Sequence, residues 1–94
     1  MDTKDFMLMA RALVTMYVNY QPDSHYVTLE DVFVVWLCKT LQNDKALLST
    51  TTDGDARYYE VTYNGDKQEV YFDCYDKVEN IAYPVDRLKK MGCL

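Results

Sequence analysis

Histidine occurs once in this chain, at His25, and no serine nucleophile motif surrounds it. Ser24 is its neighbour in sequence, but adjacency does not make a catalytic pair, so a hydrolytic triad has no footing and His25 reads as a loop residue. Cysteine is sparse and odd in number: Cys38, Cys74 and Cys93, with no C-x-x-C spacing. That pattern gives neither a disulfide framework nor a zinc site, and reduced thiols in a cytosol are the simple expectation. Cys38 and Cys74 fall among apolar neighbours in expected strands and read as buried, inert residues rather than activated nucleophiles. Positive charge is also short. Ten Lys and Arg face 15 Asp and Glu, for a net charge of -5 and a pI near 4.6. The basic footprint of a nucleic-acid binder is therefore missing. No apolar run reaches the length of a membrane span, Asp2 and Asp5 spoil a signal-peptide n-region, and Cys93 lies too near the last residue for a prenylation box.

What is present is ordinary in amount and unusual in kind. Hydrophobic residues make up 49% of 94, enough for a packed core and enough to exclude disorder. One domain, residues 1–94, is expected. Nine residues are tyrosine, a type that suits strands and contact surfaces. The acids are gathered late: Asp53, Asp55, Glu60, Asp66, Glu69, Asp73, Asp76 and Glu79 are opposed in that stretch only by Arg57, Lys67 and Lys77.

The periodicity predicts an amphipathic helix over residues 3–20, from Phe6, Met9, Ala10, Leu13, Met16, Tyr17 and Tyr20. Asp2 or Thr3 caps its start and Pro22 ends it. Thr28-Leu29-Glu30-Asp31 resembles a capping box. Residues 29–41 fit either a helix or a strand. The stiff valines beside Phe33 and Trp36 favour one helical turn followed by a strand. Gln42 to Lys45 reads as a polar break, with Lys39, Gln42, Asn43 and Lys45 forming a solvated tip, and Ala46 to Thr51 as a second strand. Asp53-Gly54 signals a turn. Tyr58 to Tyr63 and Glu69 to Tyr75 are the third and fourth strands, joined at Asn64-Gly65, where both residues tolerate positive φ. Val78 to Tyr83 is a candidate fifth strand. Pro84 and Gly92 bracket a short C-terminal helix whose Arg87, Lys89 and Lys90 suit its C-terminal end.

The fold class is thus α+β: an N-terminal amphipathic helix packed on a four- to five-stranded antiparallel β-meander, with a short C-terminal helix. The expected core is Phe6, Leu13, Met16, Tyr17, Val35, Leu37, Leu48, Tyr59, Val61, Val70 and Phe72. Alternation places Tyr59, Val61 and Tyr63 with Val70, Phe72 and Cys74 on the core side. The other side then carries Tyr58, Glu60, Tyr71, Asp73, Tyr75, Glu69 and Thr62. The acids do not match a calcium loop, and no cofactor or metal site is indicated. Carboxylates beside tyrosines fit a protein partner better than a nucleic acid, whose phosphates they repel. Tyr58, Glu60, Glu69, Tyr71, Asp73 and Tyr75 are therefore the candidate partner-binding residues, against a plainer reading as a solvated sheet face.

Two long stretches, "DVFVVWLCKTLQNDKALLSTT" and "YYEVTYNGDKQEVYFDCYDKVEN", in that order, resemble a family of uncharacterised small proteins encoded by phages and prophages of Gram-positive bacteria. The resemblance covers about the last two-thirds of the chain and carries over no catalytic residues. It implies a phage protein acting in the cytoplasm of a bacterial host. The leading expectation is a non-enzymatic binder of a bacterial host protein, with inhibition of a host defence system such as a CRISPR nuclease, by nucleic-acid mimicry, as one form. The alternative is an accessory protein of phage replication that binds single-stranded nucleic acid by stacking bases on Trp36 or the tyrosines. An enzyme using Cys38, Cys74 or His25 is a third reading, and a homodimer through an exposed sheet edge is compatible with each.

Overall fold

The computed structural model describes residues 1–22, 26–51, 57–76, 78–79 and 81–93. The expectations for Ser24, His25, Asp53-Gly54, Asp55 and Lys77 lie outside the described residues. Helix α1 (Thr3–Tyr20) is followed by a short 3-10 turn (Leu29–Asp31). Then come strands β1 (Val32–Thr40), β2 (Asn43–Thr50), β3 (Arg57–Asn64) and β4 (Glu69–Asp76), and helix α2 (Val85–Lys90). The strands form one antiparallel sheet in the order β1-β2-β3-β4. This is the expected α+β meander with a helix at each end.

Helix α1 starts where Asp2 accepts a hydrogen bond from the Asp5 amide at 2.8 Å. It lies on one side of the sheet, burying Phe6, Ala10, Val14 and Val18 against Val32, Ala46, Leu48, Tyr59, Val61 and Tyr63. These i, i+4 positions form a narrow stripe. Met16, expected in the core, points away and is 53% exposed. The reason is that α1 is apolar nearly all round, with Lys4, Asp5 and Arg11 its only charges, so the pattern alone cannot select the buried face. Leu13 and Tyr17 pack at the margin of the core. The chain beyond α1 is tied back by Asn19, which donates to the Val27 carbonyl at 2.9 Å and accepts from its amide at 2.8 Å. Arg11 donates to the Leu29 and Val32 carbonyls at 2.9 and 3.1 Å and pins the start of β1. The capping box at Thr28 and Asp31 forms as expected, and the turn then opens directly into the strand.

Strand β1 contains an irregularity that alternation does not reveal. Val34 pairs with Leu48 and Trp36 with Leu47, so Val35 is an extra residue, a β-bulge. Val32, Val34 and Leu37 face α1, while Trp36 turns outward and Val35, an expected core residue, is exposed. Strand β2 starts at Asn43, three residues earlier than expected. The hairpin closes over Leu41 and Gln42, with Leu41 taking φ 56° without a glycine.

The hairpin between β3 and β4 forms in the expected parity, but for a different reason. Its loop spans residues 65–68, and positive φ falls on Gln68 rather than on Asn64 or Gly65. Asn64 instead accepts from the Asp66 and Lys67 amides, each at 3.1 Å. Gly65 lies against the neighbouring hairpin. A Cβ there would stand 2.3 Å from the Gln42 carbonyl oxygen and 2.9 Å from the Gln42 Cβ. The Gly65 amide donates to the Asn43 side chain at 3.2 Å. Gly65→Ala should therefore lower stability by about 1–3 kcal/mol through overpacking, read as a fall in the urea midpoint. An unchanged midpoint would mean that the two turns separate freely.

The candidate fifth strand is absent: the described residues between Val78 and Tyr83 are not strand. Among the described residues β4 therefore keeps a free outer edge. Val70, expected in the core, lies on the inner side of this edge strand, beyond the reach of α1, and is exposed. Helix α2 ends as expected, with Gly92 at φ +83° and the Gly92 and Cys93 amides donating to Lys89 and Leu88 at 3.1 and 2.9 Å.

Candidate protein-binding face

The side of the sheet opposite α1 is covered by nothing among the described residues. Strands β3 and β4 bring all six candidate residues onto it: Tyr58 opposes Tyr75, Glu60 opposes Asp73, Thr62 opposes Tyr71 and Asn64 opposes Glu69. Tyr58, Tyr71 and Tyr75 are exposed, as are Glu69 and Asp73, while Glu60 is half-buried.

The carboxylates are not equivalent. Glu60 pairs with Lys45 of β2 at 3.2 Å, which offsets one negative charge. Glu69 accepts a hydrogen bond from the Tyr71 hydroxyl, which leaves Asp73, among the described residues, the candidate acid with least compensation. That hydrogen bond, with burial and the Glu69 charge behind it, holds the Tyr71 hydroxyl above its ordinary value. Tyr75 is raised by the charges of Asp73 and Glu60. A tyrosine raised in the folded state favours folding below pH ~10, and that contribution fades as pH climbs through the folded value. An absorbance titration should show Tyr71 ionising above the ordinary tyrosine range, and Glu69→Ala should bring it down. A titration curve unchanged by the substitution would mean that the hydrogen bond is not populated in solution.

The first two strands contribute what the sequence did not disclose. Because of the bulge at Val35, the Trp36 ring lies on this face in a row running Trp36, Leu47, Glu60, Asp73 across all four strands. Trp36 is 42% exposed, and Phe33 is similarly open. Beside Trp36 a hollow of about 490 Å³ is lined by Cys38, Thr40, Asn43, Lys45 and Thr62. Cys38, expected to be buried, is exposed here, whereas Cys74 is half-buried on the inner side. The face therefore has two halves, an aromatic and apolar one on β1 and β2 and an acidic, tyrosine-bearing one on β3 and β4.

The expected polar tip divides as well. Lys39, Gln42 and Asn43 are exposed and Lys45 partly so, but Asp44 between them is 1% exposed, on the inner side opposite Lys39 and Tyr63. Its Oδ1 has no hydrogen-bond partner among the described residues, and it lines a polar hollow of about 220 Å³ with Lys39, Gln42, Tyr63 and Gln68. Only the true start of β2, two residues past a turn without glycine, would have placed Asp44 inward. Among the described residues, no group of three His, Cys, Asp or Glu is arranged to hold a metal. No helix there is long and apolar enough to cross a membrane.

A model described as a family of unknown function, DUF6275, matches residues 7–85. The chain belongs to this family. The matched region contains all four strands and most of α1, so both sides of the sheet lie within the unit that defines the family. No curated protein and no solved structure matches the chain.

Proposed function

We propose that this chain is a non-catalytic binding protein that engages a bacterial host protein through the uncovered face of its sheet. The observation that supports this most directly is the exposure of Phe33, Trp36, Tyr58, Tyr71 and Tyr75 together on one side of a sheet whose other side is closed by α1. Aromatic groups ringed by polar ones are the usual anchors of protein contacts. Glu69 and Asp73 select a partner surface that offers cations beside apolar groups. On this reading the target lies in the cytoplasm of a Gram-positive host, which the resemblance to phage and prophage proteins supports. A defence nuclease fits the chemistry, because its substrate groove is cationic. With Lys45 offsetting Glu60, the face works less as a row of phosphate mimics than as a mixed aromatic and acidic contact.

The test is capture from a nuclease-treated Gram-positive lysate by the full chain and by the Glu60→Lys, Glu69→Lys, Asp73→Lys variant. The intact protein should retain one dominant host protein, released by high salt, and the reversed variant should retain at least about tenfold less. Equal capture by both would remove the face from the interaction. Capture that vanishes with nuclease would favour the single-stranded nucleic-acid reading.

A further inference from the structure

The chain carries, beyond β4, a segment whose chemistry complements this face. Val78 is 94% exposed, and Ile81, Tyr83, Val85 and Met91 are all open to solvent. None of them joins the core, and Leu88 is only partly buried. Helix α2 sets Val85, Leu88 and Met91 beside the cations Arg87, Lys89 and Lys90, whereas Asp86 is its one acid. The uncovered sheet face has the converse arrangement, apolar Phe33, Trp36 and Leu47 beside Glu69 and Asp73.

Helix α2 has almost no contact with the other elements of the chain, and the molecule is correspondingly extended. The radius of gyration is 16.4 Å. A compact chain of this length would have about 12–13 Å. The molecule extends 47 × 37 × 19 Å, the shortest dimension being that of one helix on one sheet. The eight residues 77–84 can span at most roughly 26–29 Å, enough to carry α2 clear of the β4 edge and onto a neighbour.

We infer that the C-terminal arm, residues 81–93, docks on the uncovered sheet face of a second copy of this chain, and that two copies exchange arms about a two-fold axis. This rests on the reading of that face as a protein-binding surface. A second copy is the occupant the observations favour, because each chain supplies both halves of the contact in equal number. A two-fold exchange then buries both faces and both arms at once without open-ended growth. In the free protein the arm shields Trp36 and the tyrosines, and a host target competes for the same place.

Sedimentation velocity on the full chain tests this. The protein should sediment as a dimer that dissociates as salt is raised. Reversal in the arm (Arg87→Glu, Lys89→Glu, Lys90→Glu) and reversal on the sheet (Glu60→Lys, Glu69→Lys, Asp73→Lys) should each weaken the dimer at least about tenfold. Mixing the two reversed proteins should restore a mixed dimer. Circular dichroism checks that each variant is folded; if the sheet variant is not, Glu69→Lys with Asp73→Lys leaves the Lys45–Glu60 pair in place. A monomer at every concentration, a dimer indifferent to the arm reversal, or a mixture that fails to associate would each overturn the inference. The reading of the face stands separately: an arm-reversed variant that still captures the host protein keeps it, whatever happens to the dimer.

Discussion

Replacing Tyr59 by alanine should lower the stability of the protein by about 3–5 kcal/mol, the range for deleting a fully enclosed aromatic ring. Tyr59 is completely buried at the centre of β3. Its ring meets Tyr17 of α1 edge-on at 6.1 Å and stacks with Phe72 of β4 at 6.0 Å, and Tyr17 and Phe72 touch at 4.8 Å. The three rings thus fasten the second half of α1 to the two strands it covers least. The Cys74 side chain beside it holds the Tyr17 hydroxyl above its ordinary value. A domain of this size has only about 5–15 kcal/mol in total, so the variant should sit near the edge of folding. Urea denaturation gives the result as a fall in midpoint at unchanged slope. A loss under about 1 kcal/mol would mean that α1 holds the sheet without this cluster.

Trp36→Ala should separate binding from folding. With much of its ring open to solvent, Trp36 should contribute about 1 kcal/mol or less to stability. At the centre of a protein contact, the same truncation should cost 2 kcal/mol or more, roughly thirtyfold in Kd. Calorimetry against the captured host protein, beside a thermal melt of the variant alone, gives both numbers. Equal losses in the two would identify Trp36 as a packing residue of the sheet and shift the contact toward β3 and β4.

The parts of this molecule written in local pattern were legible. Asp2 at the head of α1, the box of Thr28 and Asp31, and the alternation through Tyr58–Tyr63 and Glu69–Tyr75 each depend on residues a few positions apart. The structure reproduces them, including the common side of all six candidate residues. What was hidden depends on contacts distant in sequence. Which stripe of α1 is buried is decided by the sheet beneath it, because the helix itself is apolar on several sides. Gly65 is required by Gln42 across the neighbouring hairpin rather than by its own φ, and Asp44 is inward because the first turn closes at Leu41 and Gln42. Half of the candidate face was missed for a similar reason: with Val35 and Leu37 taken as core, strict alternation puts Phe33 and Trp36 on opposite sides, and the bulge brings them together.

That bulge gives β1 a property unlike that of its neighbours. Arg11 fixes the start of the strand from α1, and the extra residue at Val35 lets Phe33 and Trp36, three positions apart, share one side of the sheet. Loss of the single residue Val35 would remove the bulge and restore plain alternation, leaving Trp36 outward and Leu37 inward opposite the same residues of β2. Recognition on this half of the protein therefore rests on the pairing of Trp36 with Leu47, and the extra residue can be exchanged without changing the side that Trp36 takes.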